Sequence, residues 1–226
     1  MTPQTVCAAS VERLGVTGTS VAVGSGAIQG ELLYSTDEVS RQLQDLHFML
    51  GEGPVVDAVR GGLPVFAPDL SATASGAAWP LFAGAAIELG ALAMFVLPLR
   101  IGAIQPAIFS LYRDAAGSLS PEQMADAAVF ADIALQLILD TRGGVSAGGS
   151  LRQKHAEPMG RAEVHQATGM VSVQLGVDME QSLVRLRAYA FANQLPLADV
   201  VRDVVARRLR FDADNVDNPD DDPRTA

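Results

Sequence analysis

A glycine- and serine-rich segment at residues 143–150 divides this 226-residue chain into two parts that must fold separately. Six of its eight residues are glycine or serine, which have little side chain to pack and a high entropic cost of ordering. We therefore predict a linker there, with a first domain at residues 1–142 and a second at residues 151–211. Residues 212–226, rich in Asp, Asn and Pro, are predicted to be a disordered acidic tail.

The formal charge changes sign between the two parts. The whole chain has a net charge of −10, which on its own disfavours nucleic acid as a partner. Residues 1–150 hold 6 basic and 14 acidic residues, residues 151–211 hold 9 and 6, and residues 212–226 hold 1 and 6. Such asymmetry favours nucleic-acid binding by the basic part, although a solvated helical face explains a net charge of +3 equally well.

The composition is that of a water-soluble protein without a membrane span. No uninterrupted apolar run reaches the roughly eighteen residues that a spanning helix needs, because Pro80, Glu88 and Gly90 interrupt residues 77–99. The N-terminus lacks a signal-peptide pattern. The single cysteine, Cys7, excludes an intramolecular disulfide, and we interpret it as a spare thiol near a frayed end. We therefore expect a cytoplasmic protein.

Periodicity and turn residues predict a mixture of helices and strands in the first part. Helices are predicted over residues 37–49, 54–60, 77–89 and 121–140, and strands over residues 19–23, 31–34, 64–68, 91–99 and 104–112. Ser120, Pro121 and Gln123 form a strong helix-start pattern. Because Pro106 has no N–H to donate, its strand must lie at a sheet edge or contain a bulge. The order of elements predicts an α+β fold with a central antiparallel sheet.

The second part predicts three short helices. The first covers residues 161–175 and stops at Gly176, which suits a left-handed conformation. Asp178 then caps the second helix, and the third is predicted over residues 197–209. Apolar residues three and four positions apart give each helix one apolar face, which indicates a small shared core. So small a bundle needs close helix approach, which is permitted by small residues: Ala167, Gly169, Ala188 and Ala190.

Two runs in the second part resemble the ANTAR domain, a three-helix RNA-binding module of bacterial antitermination regulators. They are Ala-Thr-Gly-Met-Val at residues 167–171 and Leu-Arg at residues 186–187, followed by Ala190. Thr168 replaces the usual lysine of the family, which removes one phosphate contact. The resemblance implies that the unit binds paired RNA hairpins with hexanucleotide loops. A homodimer that holds two hairpins favours them over an overlapping terminator, which implies transcription antitermination.

Three runs in the first part resemble, in order, a GAF sensor domain of the type found in actinobacterial GAF-ANTAR proteins. They are Leu-Gly-Glu-Gly-Pro at residues 50–54, Gly-Leu-Pro-Val at residues 62–65 and Trp-Pro-Leu-Phe at residues 79–82. The Asn-Lys-Phe-Asp-Glu signature of cyclic-nucleotide members is missing, and no cysteine is placed to hold a bilin. The resemblance implies that this domain senses a small molecule or protein partner that remains unidentified.

The last helix of the first part is expected to mediate the homodimer, since it leads from the sensor into the linker. Its packed side is predicted to carry Met124, Ala128, Ala131, Leu135 and Ile138.

The predicted RNA-binding residues combine cations with polar and small side chains. Arginine pairs with phosphate through two hydrogen bonds and stacks on unpaired bases. A packing role is an equal alternative for Thr168, and a contact with the helix dipole is an equal alternative for the pair Arg207 and Arg208. The full set is Gln166, Thr168, Gly169, Arg185, Arg187, Tyr189, Arg202, Arg207 and Arg208.

The sequence carries no pattern typical of an enzyme. Its three histidines lack metal-ligand spacing, one cysteine cannot build a zinc site, and no phosphate-binding glycine fingerprint is present. We therefore expect no catalytic activity, no metal and no cofactor. Two alternatives to RNA binding remain. The three-helix unit resembles helix-turn-helix geometry, which would make the protein a DNA-binding regulator, or the unit mediates protein contacts alone.

Overall fold

The computed structural model describes residues 2–23, 31–102, 104–142 and 159–211. The chain forms two compact units, one ending at residue 153 and the other beginning at residue 154. The predicted linker at residues 143–150 and the predicted tail at residues 212–226 lie outside the described residues. In the described part of the chain, no helix combines the length and the apolar character needed to cross a bilayer.

In residues 2–142, as far as the structure describes them, the first unit is built on one antiparallel sheet of five strands. They are β1 (Gly18–Val23), β2 (Glu31–Ser35), β3 (Val65–Ala67), β4 (Ala93–Ile101) and β5 (Ile104–Arg113). The strand order is β2-β1-β5-β4-β3. β4 and β5 form the central hairpin, in which Phe95 is opposite Leu111 and Leu97 is opposite Phe109. These strands and their antiparallel arrangement confirm the predicted α+β class.

The position of Pro106 decides between the two predicted arrangements of its strand. β5 lies between β1 and β4, so it is not an edge strand. The pairing of β4 with β5 shifts register between Leu99 and Ile101, and the regular ladder with β1 begins at Ala107. Pro106 therefore lies in the irregular segment, where no ladder donor is required. The bulge was the correct alternative.

Six helices flank the sheet in the described part of this unit. They are α1 (Pro3–Leu14), α2 (Glu38–Leu50), α3 (Pro54–Gly61), α4 (Thr73–Ala78), α5 (Phe82–Glu88) and α6 (Pro121–Arg142). α1 and α6 pack on each other and share one core with the sheet, which contains Val6, Phe109 and Ile138. A second core, which contains Leu43, Trp79 and Phe82, lies under the other helices.

Cys7 corrects our interpretation of the N-terminus. It lies in α1 and its side chain is fully buried in the core that α1 shares with α6. Burial raises the pKa of the thiol to about 11, so Cys7 behaves as a small apolar core residue rather than as a thiol near a frayed end.

α6 begins as predicted, and of its predicted packed side Ala131, Leu135 and Ile138 do contact the core whereas Met124 and Ala128 do not. Ser120 and Gln123 form a reciprocal capping box, in which each backbone N–H donates to the other side chain, at 2.8 and 3.2 Å. The buried residues are Ala127, Ala131, Ala134 and Ile138. Met124 and Ala128, predicted on the packed side, are exposed, because the sheet and α1 contact a face rotated from the one inferred from spacing.

The predicted helix over residues 77–89 is wrong, because the chain forms two helices there. α4 ends at Ala78 and α5 begins at Phe82. Pro80 separates them, since its ring cannot fit inside a continuous helix and it has no N–H to donate.

Hydrogen bonds connect the turn at residues 79–82 to the turn at residues 50–54 and to α3. A Glu52 carboxylate oxygen accepts the backbone N–H groups of Leu81 and Phe82, at 2.7 and 2.8 Å. The Trp79 indole N–H donates to Asp57 at 2.8 Å. The two runs that resemble GAF domains therefore have a shared physical role, which is to close α5 against α2 and α3.

The described residues of the second unit form three helices, α7 (Met159–Leu175), α8 (Met179–Ala192) and α9 (Leu197–Val205), which pack on one another. Gly176 ends α7 with φ 66°, and the Asp178 carboxylate accepts the Gln181 N–H at 2.7 Å. The buried side chains include Val171, Leu186 and Val204. α9 ends four residues before the predicted position, because Arg207 adopts a left-handed conformation with φ 61°.

Replacing Gly53 with Ala should destabilise the first unit. Gly53 has φ 112°, and an added Cβ would lie 2.7 Å from His47 Cδ2 and 2.8 Å from Phe82 Cγ. We expect a loss of about 2 kcal/mol. Gly84→Ala is the matched control, because nothing lies within 4 Å of its Cβ position and helix propensity should add about 0.5–1 kcal/mol. Urea unfolding followed by Trp79 fluorescence reports on this unit. Equal midpoints for the two variants would contradict this packing.

The buried His47 should make the first unit sensitive to acid. Its ring is fully buried against Phe82, and burial lowers its pKa from 6.5 to about 3. Below pH 6.5 the unfolded chain therefore binds a proton on His47 that the folded chain does not bind. The free energy of unfolding consequently decreases as pH falls from 6.5 towards 3. Between pH 6.5 and about pH 5 we expect a loss of about 2 kcal/mol.

Unfolding free energies at a series of pH values test this expectation. His47→Phe should remove most of the slope above pH 5, whereas His165→Gln, at an exposed position, should retain it. An unchanged slope in the His47 variant would assign the acid sensitivity to other groups.

Candidate functional site

α8 presents a positively charged and partly apolar surface on the side away from the core. Its buried residues are Ser182, Leu183, Leu186 and Ala190. The side chains that we call the α8 surface are exposed: Val184, Arg185, Ala188 and Phe191. Residues 181–192 contain two arginines and no acidic residue. This surface therefore favours a negatively charged partner.

The two arginines of α8 differ in their environment. Arg185 is exposed and forms no ion pair with any residue in the described part of the chain. Arg187 lies at the margin of the α8 surface, half-buried, with a buried Nε. Arg185 is thus the cation that can move most freely towards a phosphate, whereas Arg187 is held closer to the helix bundle.

The arginines of α9 and the segment after it are partly offset by neighbouring carboxylates. Arg202 pairs with Asp199 at 2.6 Å and Arg208 pairs with Asp203 at 2.7 Å. Arg207 is exposed at its left-handed position. Exposed pairs of this kind contribute little stability, so a phosphate can replace the carboxylate at small cost.

Thr168 is used inside the second unit. Its side chain is only 2% exposed, and its hydroxyl donates to the Val164 carbonyl at 2.6 Å. This geometry favours the packing alternative for Thr168. Gln166, two residues earlier on α7, is exposed and available to a ligand.

Close helix approach does not depend on all of the small residues predicted to permit it. Ala167 and Ala190 are buried between the helices, as expected. Gly169 is half-buried, but a Cβ added there would meet no atom within 4 Å. Ala188 is exposed. Gly169 and Ala188 therefore leave open space at the surface rather than bringing helices together.

Tyr189 holds the end of the described chain against the bundle. Its ring packs edge-on against Phe211, with ring centroids 5.4 Å apart. Phe211 is buried, and its backbone N–H donates to the Gln174 side chain at 2.9 Å. Tyr189 is half-buried, so much of its ring is occupied by this packing.

The sequence did not reveal Phe191 as a candidate residue. It is an apolar residue on the outer side of a helix, so it belongs neither to the predicted cations nor to the predicted core. It is 72% exposed. It lies one turn after Arg187 and one turn after Ala188, so the three share one side of α8. The signal available in the sequence was a large aromatic residue between the two alanines that follow Tyr189.

The first unit contains a small polar cavity between α2 and the sheet. The buried hydroxyls of Ser20, Ser40 and Ser110 line it beside Tyr112, and its volume of about 10 Å³ is about that of one water molecule. Ser110 Oγ has no hydrogen-bond partner among the described residues, so a water fits there. A larger ligand would require α2 to move away from the sheet.

Tyr112 and Asp37 close one end of this cavity. The Tyr112 hydroxyl donates to Asp37 at 3.1 Å, and the Ser40 hydroxyl donates to the same carboxylate at 2.9 Å. Burial and the nearby Asp37 carboxylate raise the pKa of Tyr112 above its ordinary value, so it remains a hydrogen-bond donor. In the described residues, no group of three His, Cys, Asp or Glu side chains is placed to hold a metal ion.

The sequence matches no model of a known protein family and no curated protein. Several solved structures similar to this chain are GAF domains. GAF3 from Slr1393 of Synechocystis sp. PCC6803 is 12% identical, with 63% of this chain and 94% of that one covered and a TM-score of 0.50. The GAF domain of a phosphoenolpyruvate-protein phosphotransferase from Coxiella burnetii is 16% identical, with coverages of 64% and 86% and a TM-score of 0.49. The first unit has the GAF fold.

Proposed function

We propose that this protein is a signal-regulated RNA-binding protein that promotes transcription antitermination. In this proposal the GAF-fold unit senses a small molecule or protein partner, and the three-helix unit acts as an ANTAR domain that binds paired RNA hairpins. The observation that carries the proposal is the α8 surface, where the exposed Arg185 accompanies the exposed apolar side chains of Val184, Ala188 and Phe191, with Arg187 at its margin. The protein then acts in the cytoplasm, on nascent transcripts, and has no catalytic step.

RNA loops suit the α8 surface better than paired RNA does. The major groove of an A-form helix is too narrow and deep for side chains to read, whereas loop bases are splayed out and accessible. Arginines bind the loop phosphates, and the small side chain of Ala188 lets a base approach the helix. The exposed Gln166 supplies an amide that can hydrogen-bond to a base edge.

The other predicted residues take supporting roles in this proposal. Arg202, Arg207 and Arg208 attract the stems of the hairpins at longer range. Thr168 and Gly169 shape α7 beside the loop, and Tyr189 fixes the chain at Phe211. Of the nine predicted residues, Arg185 is the best placed to contact RNA directly, because it is exposed and lies on the α8 surface.

A homodimer would hold two hairpins at once, and α6 offers the surface for it. Three large apolar side chains of α6 are exposed, Met124 at 40%, Val129 at 56% and Leu139 at 39%. Burial of such side chains against a second copy is favourable because it removes apolar area from water. α6 also ends at Arg142, next to the predicted linker.

Reversing the charge of Arg185 should weaken RNA binding. The probe is a pool of RNAs with two tandem hairpins and randomised hexanucleotide loops. We expect Arg185→Glu to bind at least about tenfold more weakly, and the salt slope of the binding constant to fall by about one. Arg60→Glu, an exposed arginine of the first unit, is the control and should bind normally.

Duplex DNA of the same length and charge, measured at the same salt, separates the alternatives. Tighter binding to the duplex would support the DNA-binding alternative, and failure to bind either nucleic acid near physiological salt would support a protein-interaction role.

A charge placed on α6 should dissociate the dimer. We expect Val129→Asp to convert the protein from dimer to monomer in analytical ultracentrifugation, because an unpaired carboxylate cannot be buried at low cost. Val173→Asp is the matched control, since Val173 is exposed on α7, and it should remain dimeric. A monomeric wild-type protein would contradict the proposed dimer.

A further inference from the structure

We propose that Phe191 is the platform on which an unpaired base of the bound RNA stacks. This inference rests on the proposed RNA-binding function and adds to it the residue that holds the base. Phe191 is 72% exposed on α8, where a phenyl ring has no partner in the described part of the second unit. Phe191 extends the exposed apolar row of Val184 and Ala188 on one side of α8, and contiguous exposed apolar surface marks interaction sites.

The other two aromatic rings of the second unit are not equally available. Tyr189 and Phe211 pack against each other edge-on, with ring centroids 5.4 Å apart, and Phe211 is 4% exposed. Phe191 is the aromatic side chain most open to a ligand in residues 159–211. The contrast assigns packing to one aromatic pair and leaves the third ring for recognition.

The neighbours of Phe191 suit a nucleotide. Ala188 precedes it by three residues and is exposed. Its methyl group is small, so it leaves room for a base beside the ring of Phe191. Arg187 precedes it by four residues, within one helical turn. A base on the ring therefore lies within one turn of a cation that can bind the adjoining phosphate, which is the combination used for unpaired nucleotides.

The charges of α8 favour a nucleotide over an apolar protein segment. The one acidic residue of α8, Glu180, lies in its first turn, and the rest of the helix carries Arg185 and Arg187 without a carboxylate. These two arginines, which precede the ring on the same helix, repel basic partners and attract phosphate. A stacked base and its phosphate satisfy both the ring and the cations, and they need only one exposed ring face.

Two substitutions separate stacking from general hydrophobic contact in the full chain. Phe191→Tyr keeps an aromatic face, whereas Phe191→Leu keeps apolar character without one. With the tandem-hairpin RNA pool, we expect the Tyr variant to bind within about twofold of wild type and the Leu variant to bind about tenfold more weakly. Val173→Ala, an exposed apolar position on α7 that is 84% exposed, is the control and should bind like wild type.

A fluorescent base in the loop reports stacking directly. RNAs from the bound pool that carry 2-aminopurine at each loop position in turn should show quenching at one position with wild type and with Phe191→Tyr. Phe191→Leu should abolish that quenching even at saturating protein. Because Phe191 is exposed, thermal unfolding of all three proteins should agree.

The two proposals fail in different ways. If the wild-type protein binds no tandem-hairpin RNA, the proposed function fails. If wild type binds RNA and Arg185→Glu weakens it, but Phe191→Leu binds as tightly and quenches 2-aminopurine as well as wild type, the stacking role alone is overturned. If Phe191→Leu leaves RNA binding intact but dissociates a complex between copies of the chain, the ring belongs to a protein interface instead.

Discussion

The second unit depends on the packing of one side of α8 against α7 and α9. A bundle of three short helices has few apolar residues to bury, and α8 commits Leu183, Leu186 and Ala190 to that core. The opposite side of the helix is thereby fixed towards solvent. Its arginines and Phe191 are displayed by a rigid element rather than by a loop, which lowers the entropic cost of binding a ligand there. The proposed recognition surface and the buried core thus occupy opposite sides of one helix.

The first unit depends on a different device, the attachment of two turns to each other. Glu52 accepts two backbone N–H groups at the start of α5, and Gly53 gives His47 and Phe82 the room to pack. This attachment covers one side of the sheet and leaves a cavity of water size beside α2. A signal that enters this side of the GAF fold must therefore loosen α2 or its neighbours, and that loosening is the physical basis of the proposed sensing.

Much of the fold could be predicted because its signals are local. Asp37, Ser120 and Asp178 cap helices through side chains three residues from their partners, and Gly176 ends a helix through its own backbone. α1 carries the same kind of local signal, with Thr2 as N-cap, Pro3 in its first turn and a left-handed Gly15 at its end, but its apolar pattern is weak because it buries Cys7 and Ser10 beside few large apolar residues. The packed side of α6 and the exposure of Phe191 depend on tertiary contacts, which helical spacing alone does not determine. The cationic part of the candidate site was predictable from charge, whereas the burial of Thr168 was not.

Ultraviolet cross-linking of the full chain to cellular RNA, followed by mass spectrometry of the cross-linked peptides, tests the central claim most directly. The account predicts nucleotide adducts within α8, on the peptide that carries Arg185 to Phe191, and recovered RNAs that contain paired short hairpins. Adducts confined to the first unit, or protein that recovers no RNA above background, would contradict the account.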